Sequence, residues 1–436
     1  MPHRWDQILP TRGAIGSSSF LTLMEPEPSW EDHEYLQVSK EDHTSEPDAV
    51  DSYVEITYVD DEKRDVVSIN SILPDDILEQ ILGHLPILAI IRAGSVCKKW
   101  NDVSRSGSFM QNLPITSPQK PWYFMFTCDS DPRGHVYDPM LKKWCRFKIP
   151  YVKIAHWSIV SSSGLVCFMD RDSTRKLYVC NPITKDCRKL ETVPDAKVSD
   201  YCALAISLDK SSQDYTVTIV RSMRAPGEQE DWDLSIDVYN SERNLWECPV
   251  NVTRQAWRGG ADSVICGKAL YFVVYLTRAM GFIPPTSRYG VLAYDLASLS
   301  FDLDMDECLL PAPCPVTCMR LINIEDELVM VGGIEKKGRP SIIKGIGIWL
   351  LKGKEWEEVS RMPNSFFRGF GEFDDVFASS GYNKLIYIQS YGSPALLMFE
   401  MDTKEWRWAH KCAAVKKSPL QIFSGVCFVP RLDLSP

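Results

Sequence analysis

The chain has 436 residues, of which 44% are hydrophobic and 24% are charged, and its formal net charge is −10. The length suggests two or three domains or one large repeat fold, and the composition is that of an ordinary globular protein. Residues 25–62 contain fourteen Asp or Glu against the single Lys40, a net charge of −13, so the rest of the chain carries +3. A nearly neutral body argues against a nucleic-acid-binding surface built on overall basic charge.

The N-terminus and the cysteines bear on the compartment. Residues 1–28 have no uninterrupted apolar core of signal-peptide length, and no stretch approaches the roughly 20 apolar residues that a membrane span needs. Most of the fourteen cysteines lie in apolar strand-like runs, such as Cys167 in GLVCF and Cys427 in SGVCF. We therefore expect reduced, buried cysteines, a location in the nucleus, the cytoplasm or both, and no membrane partner.

The first 66 residues differ in composition from the rest of the chain. They are polar, acidic and rich in Pro, Ser and Glu. Such a segment buries too little apolar surface to offset the entropy lost on ordering, so residues 1–66 are predicted to be a disordered acidic tail. A short apolar patch at 53–59, YVEITYV, could add a strand or dock elsewhere.

Residues 73–102, LPDDILEQILGHLPILAIIRAGSVCKKWND, predict three short helices. Pro74 can begin the first helix, and acidic residues follow where the helix dipole favours them. Apolar residues then recur at helical spacing, namely Ile77, Leu78, Ile81, Leu82 and Leu85. The second helix covers 87–93 and is apolar on more than one face. The third follows Ser95 as its N-cap.

This helical unit has a packing problem. Three helices in about 40 residues lie near the lower size limit for independent folding. A helix that is apolar all round must be covered by something. The cover could be the next domain of the same chain or another protein, and composition does not choose between them.

From residue 121 onward the sequence repeats a strand, a short turn and a Trp. Four copies are clear, VYDPMLKKW, VYNSERNLW, IWLLKGKEW and MFEMDTKEW, and two are degenerate, YVCNPITKDC and AYDLASLSF. Their last residues are Trp144, Cys187, Trp246, Phe301, Trp356 and Trp406, at steps of 43 to 59 residues. This is the period of a four-stranded propeller blade, so six blades are predicted. The recurring Trp residues are predicted to be core anchors between blades.

A glycine-containing hairpin precedes the copies, except the first. The chain ends with the strand-like run IFSGVCFVP at 422–430, which has no partner in its own copy. A C-terminal strand that completes the first blade would close the ring and remove its sheet edges.

The helical stretch resembles the F-box motif, in which Leu-Pro opens a three-helix unit and Cys-Lys-x-Trp closes it. The repeat region resembles plant kelch-type F-box proteins, with Gly332 and Gly333 where a kelch double glycine stands. Composition, repeats and resemblance together predict a multidomain protein: a disordered acidic tail at 1–66, an all-α F-box at 67–115 and an all-β, six-bladed kelch-type propeller at 120–432.

The resemblance also implies a function. F-box proteins are substrate-recognition subunits of SCF-type (Skp–cullin–F-box) ubiquitin ligases, so we expect a Skp adaptor, a cullin and a RING subunit as partners, and a protein target on the propeller. A role in plant development is implied as well. The alternative is a non-degradative scaffold that pairs with a Skp adaptor.

The residues implied to contact the Skp adaptor lie in the F-box motif, and about half of them are expected to face the partner while the others form the F-box core. They are Leu73, Pro74, Ile77, Leu78, Ile81, Leu82, Leu85, Pro86, Ile90, Ile91, Val96, Cys97, Lys98 and Trp100.

Catalytic and metal chemistry finds little support in the sequence. A copper oxidase, known among kelch propellers, needs converging histidine and tyrosine ligands. The seven histidines are His3, His33, His43, His84, His135, His156 and His410, and the three in the propeller form no close pair. Cys314 and Cys318 lack a second pair to complete a metal site. We expect a non-catalytic protein with no metal and no cofactor.

Target recognition is predicted from three unusual stretches, QAWRGGADS at 255–263, MPNSFFRGFGEFDD at 362–375 and QSYGSPA at 389–395. They are read as loops that combine Arg, aromatic residues and Gly, residue types common at interface hot spots. The predicted target-binding residues are Trp257, Arg258, Phe367, Arg368, Phe370 and Tyr391. The alternative is that the glycines shape turns and the aromatic residues pack between blades.

Overall fold

The computed structural model describes residues 73–116, 119–127, 133–148, 157–170, 176–191, 193, 199–225, 231–255, 257–277, 288–301, 308–337, 339–370, 377–412 and 422–436. The predicted acidic tail, including the patch at 53–59, lies outside these residues. Within the described residues, four short helices are followed by six sheets of four antiparallel strands, and one further helix lies among the strands.

The N-terminal helices are α1 (Asp75–Gly83), α2 (Ile87–Ala93), α3 (Lys98–Ser104) and α4 (Gly107–Thr116). The first two match the sequence prediction, but α3 begins after Cys97 and its N-cap is therefore not Ser95. The fourth helix was not predicted, because Pro114 in its interior reads as a helix breaker. Ser106 caps it: the Ser106 Oγ accepts a hydrogen bond of 3.2 Å from the backbone N–H of Phe109.

The 24 strands form six blades, which confirms the predicted propeller. Blade 1 combines β24 (Phe423–Phe428) with β1 (Trp122–Thr127), β2 (Arg133–Asp138) and β3 (Lys143–Lys148). Blade 2 is β4 (Trp157–Ser162), β5 (Leu165–Asp170), β6 (Leu177–Cys180) and β7 (Cys187–Leu190). Blade 3 is β8 (Tyr201–Leu208), β9 (Tyr215–Arg224), β10 (Trp232–Asn240) and β11 (Leu245–Arg254).

The second half of the ring is built in the same way. Blade 4 is β12 (Trp257–Cys266), β13 (Ala269–Leu276), β14 (Tyr289–Asp295) and the two-residue β15 (Leu310–Pro311). Blade 5 is β16 (Val316–Ile324), β17 (Glu327–Lys336), β18 (Arg339–Lys352) and β19 (Glu355–Arg361). Helix α5 (Asn364–Phe370) precedes blade 6, which is β20 (Phe377–Tyr382), β21 (Leu385–Ser390), β22 (Leu396–Glu400) and β23 (Glu405–Trp408).

The ring closes as the sequence predicts. The C-terminal strand β24 pairs antiparallel with β1, from Trp122 opposite Phe428 to Thr127 opposite Phe423. The first strands of successive blades contact one another around the whole cycle and therefore line the axis. Closure pairs the one strand that lacked a partner in its own repeat, so blade 1 has four strands like the other blades.

The two ends of the ring carry different connections. In each blade, the turns from the first to the second strand and from the third to the fourth strand lie at one end of the ring, which we call the bottom face. The opposite end is the top face. Trp122, where the chain enters β1, lies opposite the last residue of β24 and so lies at the bottom face. The N-terminal helices therefore join the propeller from its bottom face.

The helical unit and the propeller share one hydrophobic core. Leu78 and Leu82 of α1 belong to the same buried cluster as Trp122 and Phe124 of blade 1 and Phe168 of blade 2. The backbone N–H of Ile87 also donates to the side-chain oxygen of Gln119 across 3.4 Å. Continuous packing of this kind holds the two domains as one body instead of two bodies on a loose linker.

The cysteines follow the prediction with one exception. Cys167 and Cys427 are buried free thiols, and burial raises the pKa of Cys427 to about 12. Cys180 and Cys187, which face each other across β6 and β7, form a disulfide with Cα atoms 4.1 Å apart. The expectation of reduced cysteines is wrong for this pair, because direct cross-strand pairing brings the two thiols together.

Candidate functional site

Helix α1 divides its apolar residues between two sides. Leu78 and Leu82, four residues apart, are completely buried in the core shared with the propeller. Ile77 and Ile81, also four residues apart, lie one position earlier on the helix and remain 39% and 43% exposed. Residues four apart share a helix face, so α1 presents an isoleucine face that the described residues leave partly exposed.

The other residues predicted to contact the adaptor divide in the same way. Leu73, Leu85, Pro86, Cys97 and Trp100 are half-buried, and Ile90 is buried. Ile91 and Val96 are 37% and 63% exposed, and Pro74 and Lys98 are exposed as well. Leu78, Leu82 and Ile90 therefore serve the F-box core, and the exposed subset is Pro74, Ile77, Ile81, Ile91, Val96 and Lys98.

Lys99 joins the start of α1 to α3. Its Nζ donates to the backbone oxygen of Leu73 across 2.5 Å and lies 3.1 Å from the Asp75 carboxylate. One turn further along α1, the Glu79 carboxylate accepts hydrogen bonds from Ser106 at 3.1 Å and Ser108 at 3.0 Å. These contacts fix the helices relative to one another, so the exposed apolar residues form a pre-arranged surface.

An exposed apolar surface of this kind is suited to burial against another protein. Complete burial of an exposed Ile side chain stabilises a complex by roughly 1.5–3 kcal/mol, before the cost of association is subtracted. Four exposed apolar residues, Ile77, Ile81, Ile91 and Val96, lie within 20 residues of each other in sequence. So many exposed apolar side chains in one short helical unit are typical of a protein interaction site.

The six residues predicted to bind a target all lie at the top face, although the three stretches are not all loops. Residues 257–263 belong to the inner strand β12, and Phe367, Arg368 and Phe370 lie on α5, so only 391–395 is the loop that was predicted. Trp257 is 1% exposed and Phe370 is completely buried, so neither presents surface to a partner. Arg368 is exposed, and Phe367 and Tyr391 are half-buried.

Arg258 links blades 3 and 4. Its guanidinium carbon lies 3.5 Å from the ring centroid of Tyr201, 4.7 Å from that of Tyr275 and 5.9 Å from that of Trp232. The side chain is only 9% exposed, so these cation–π contacts are made away from solvent, where they are strongest. Arg258 therefore packs between blades, the alternative that the sequence left open.

A second arginine, Arg320, links three blades and was missed in the sequence. From β16 it donates to the backbone oxygen of Phe377 at 2.9 Å, to the Tyr391 hydroxyl at 3.1 Å and to the Asp262 carboxylate at 3.4 Å. Burial raises the pKa of Asp262 to about 6, although Arg320 acts in the opposite direction. Tyr391 is thus held by a polar network next to the axis.

The described part of the chain contains no group of three or more His, Cys, Asp or Glu residues arranged to hold a metal ion. Within the same residues, no helix has both the length and the hydropathy to cross a membrane.

Comparison with known proteins agrees with this architecture. The F-box domain family model matches residues 70–112, and the model of the F-box protein At3g26010-like β-propeller matches residues 141–317. The F-box/kelch-repeat protein At3g61590 of Arabidopsis thaliana is 48% identical over 424 residues, which cover 95% of this chain and 100% of that protein.

More distant relatives from the same plant share most of the chain. F-box only protein 6 is 27% identical, over 82% of this chain and 73% of that protein. Protein UNUSUAL FLORAL ORGANS is 23% identical, over 78% of each chain. Among solved structures, a chain of the nidogen/laminin complex gives a TM-score of 0.43 at 9% identity, covering 72% of this chain and 100% of that one.

The helical unit, its exposed isoleucines and the closed ring define an F-box protein with a β-propeller. The chain belongs to the plant F-box/kelch-repeat protein family. Its role is that of an F-box substrate adaptor, and the partner class of its F-box is a Skp-type adaptor. Proteins of this family are generally non-catalytic adaptors.

Proposed function

We propose that this chain is the substrate-recognition subunit of an SCF-type E3 ubiquitin ligase in the plant nucleus, cytoplasm or both. Its F-box docks on the Skp adaptor and, through it, on the cullin and RING subunits, while the propeller holds a protein target for ubiquitination in developmental regulation. The observation that carries the proposal is the uncovered apolar face of the F-box, Ile77 and Ile81 with Ile91 and Val96.

The junction between the domains supports this division of labour. A ligase must hold its target at a defined distance from the ubiquitin-charged enzyme, because reaction requires orientation as well as proximity. The core shared by α1 and the first two blades provides a fixed F-box and propeller geometry. The F-box joins at the bottom face, whereas the predicted target-binding residues lie at the top face.

Assembly with purified components tests the first half of the proposal. The immobilised full-length chain is expected to capture a Skp adaptor together with a cullin, and Ile77→Asp with Ile81→Asp should abolish capture of both. Both residues are exposed, so the double variant should keep its fold. Leu245→Asp, at a residue 53% exposed on blade 3, is the matched control. Failure of the wild-type chain to capture either protein would overturn the proposal.

Target turnover tests the second half. Proteins captured by the propeller in plant cells should have longer half-lives when the Ile77→Asp/Ile81→Asp variant replaces the wild-type chain. Equal half-lives with intact adaptor capture by the wild type would show a non-degradative scaffold instead.

A further inference from the structure

The top of blade 5 carries a cluster of basic side chains that the F-box function does not use. Lys336 ends β17, Lys337 follows it in the turn, and Arg339 and Lys344 lie in the first half of β18; all four are exposed. Arg368 is exposed in the last turn of α5, which contacts β18. We call these five residues the basic rim.

The basic rim gathers several positive charges that form no ion pair within the described part of the chain. Some other exposed basic residues of the propeller do have close acidic partners: Lys352 with Glu357 at 2.7 Å, Lys384 with Asp402 at 2.9 Å and Arg361 with Glu358 at 2.7 Å. No ion pair joins any member of the basic rim to a described residue. The five positive charges outnumber the single negative charge of Glu335 in the same hairpin, which leaves a local positive potential on a chain with a net charge of −10.

Two exposed apolar side chains flank this potential. Ile342, between Arg339 and Lys344, is 40% exposed, and Trp408 at the end of β23 is 36% exposed. Helix α5 lies between them: it contacts β18, and its Phe366 ring lies 5.9 Å from the Trp408 ring. A surface that combines Trp, Arg and an aliphatic residue has the composition of an interface hot spot.

The location fits a target-binding role. The β17–β18 connection and the end of β23 are both at the top face, the end of the ring away from the F-box junction. Arg368, Phe367 and Tyr391, three of the predicted target-binding residues, lie at the same end. A partner on the basic rim would leave the F-box surface free for its adaptor.

We propose that the basic rim is the docking surface for an acidic segment of the target protein, and that Ile342 and Trp408 receive an apolar side chain of that segment. This deepens the proposed function and rests on it. Charge complementarity selects the occupant, since unpaired Lys and Arg attract carboxylates and speed association. The two apolar side chains favour a polypeptide, which can supply an apolar side chain, over a nucleic acid. The net negative charge of the chain also disfavours a nucleic acid, because its continuous row of phosphates would be repelled.

The test uses the full-length chain and three dye-labelled 12-residue peptides at physiological salt. One peptide carries six Asp or Glu around a central Leu, the second has Asn and Gln in place of the acids, and the third keeps the acids with Ser in place of Leu. Fluorescence anisotropy is expected to show the tightest binding for the first. Lys336→Ser with Lys337→Ser, Arg339→Ser and Lys344→Ser should weaken that binding by about tenfold or more.

The matched control removes four lysines at the bottom face, Lys143→Ser with Lys210→Ser, Lys268→Ser and Lys354→Ser. All four are exposed, and the net charge changes by the same amount, so their loss should leave peptide binding unchanged. Ile342→Ser should abolish the preference for the Leu peptide over the Ser peptide while all basic charges are kept. That result distinguishes a docking surface from general attraction between opposite charges.

Three outcomes would overturn the proposal. Equal weakening by the two four-residue variants would mean that only net charge matters. Equal binding of the acidic and neutral peptides would remove the charge argument. Binding that is seen only after the acidic residues at 41–62 are changed to Asn and Gln would make this chain's own acidic segment the occupant. Adaptor capture by the same preparations separates these failures from a failure of the ligase proposal, because the F-box is unchanged in every variant.

Discussion

The indole N–H of Trp246, in the fourth strand of blade 3, donates to the backbone oxygen of Glu191, just after the fourth strand of blade 2, across 3.0 Å. The same relationship recurs around the ring. The Trp144 indole donates to the backbone oxygen of His410 at 2.5 Å, and the Trp356 indole donates to that of Pro311 at 3.1 Å. The Trp406 indole donates to the Ser360 hydroxyl at 3.0 Å. Each acceptor lies in or just after the fourth strand of the preceding blade. The recurring tryptophans therefore join neighbouring blades by hydrogen bonds as well as by packing.

Removing this N–H should destabilise the propeller. Trp246→Phe keeps an aromatic ring against Tyr239, whose ring centroid lies 5.2 Å away, but leaves the Glu191 carbonyl without its donor. We expect a loss of about 1 kcal/mol in the free energy of unfolding, measured by urea denaturation. Trp408→Phe is the control, since this exposed indole makes no hydrogen bond to a described residue. An equal loss in both variants would contradict the account.

The disulfide should contribute to the stability of blade 2. Cys180 and Cys187 occupy the cross-strand position that Tyr239 and Trp246 occupy in blade 3, and among the described residues no indole N–H hydrogen bond joins blade 2 to blade 1. Because the closed loop is short, with a sequence separation of 7, the bond should stabilise the fold by about 2 kcal/mol.

Reductant provides the measurement for the disulfide. It should lower the thermal midpoint of the wild-type chain and leave that of Cys180→Ser with Cys187→Ser unchanged. Cys314→Ser with Cys318→Ser, which changes two free thiols, should keep the full sensitivity to reductant. A wild-type midpoint that is insensitive to reductant would show that the bond adds no stability.

Asp262 should make stability depend on pH. Burial raises its folded-state pKa from 3.8 to about 6, so between about pH 4 and pH 6 the folded chain holds this proton more tightly than the unfolded chain does. Its contribution to the free energy of unfolding therefore falls as the pH rises through that window. Asp262→Asn should remove this fall in thermal midpoints measured from pH 4 to pH 7.

Asp209 offers a control of opposite sign. Hydrogen bonds from Ser211, the hydroxyl first and then the backbone N–H, hold the pKa of Asp209 below its ordinary value, so its contribution is present at neutral pH and is lost on acidification. Asp209→Asn should leave the effect of Asp262 intact. If both variants shifted the pH profile in the same direction, the raised pKa assigned to Asp262 would be wrong.

Core and surface positions of α1 should respond differently to truncation. Leu78→Ala removes a completely buried side chain and should cost about 2–5 kcal/mol in the free energy of unfolding. Ile81→Ala removes a side chain that is 43% exposed and should change it by no more than about 0.5 kcal/mol. Urea denaturation of the two variants measures the difference. Similar losses would mean that Ile81 is covered by the chain itself.

Periodicity predicted the parts of the fold that repeat. Six copies of one strand–turn–Trp unit were enough for the number of blades, and an unpartnered C-terminal run at 422–430 was enough for ring closure. Helix α4 was missed because Pro114 masks its helical pattern, although Ser106 with Phe109 and Leu113 four residues apart carried a signal. The F-box motif likewise pointed to the adaptor surface, but not to which of its apolar residues face inward.

The rest depends on contacts between residues that are distant in sequence. Arg320 meets Asp262 and Tyr391 only because three inner strands converge on one axis. Arg258 looked like a surface residue next to glycines, yet the ring buries it against Tyr201. Whether a lysine is unpaired, as at the basic rim, is likewise a property of the folded surface.

The most direct test of the central claim is a calorimetric titration of the full-length chain with a purified Skp-type adaptor. The account predicts binding of one adaptor per chain that Ile77→Asp with Ile81→Asp weakens by at least about tenfold and that Leu245→Asp leaves unchanged. Absence of binding by the wild-type chain, or equal affinity for the double variant, would contradict it.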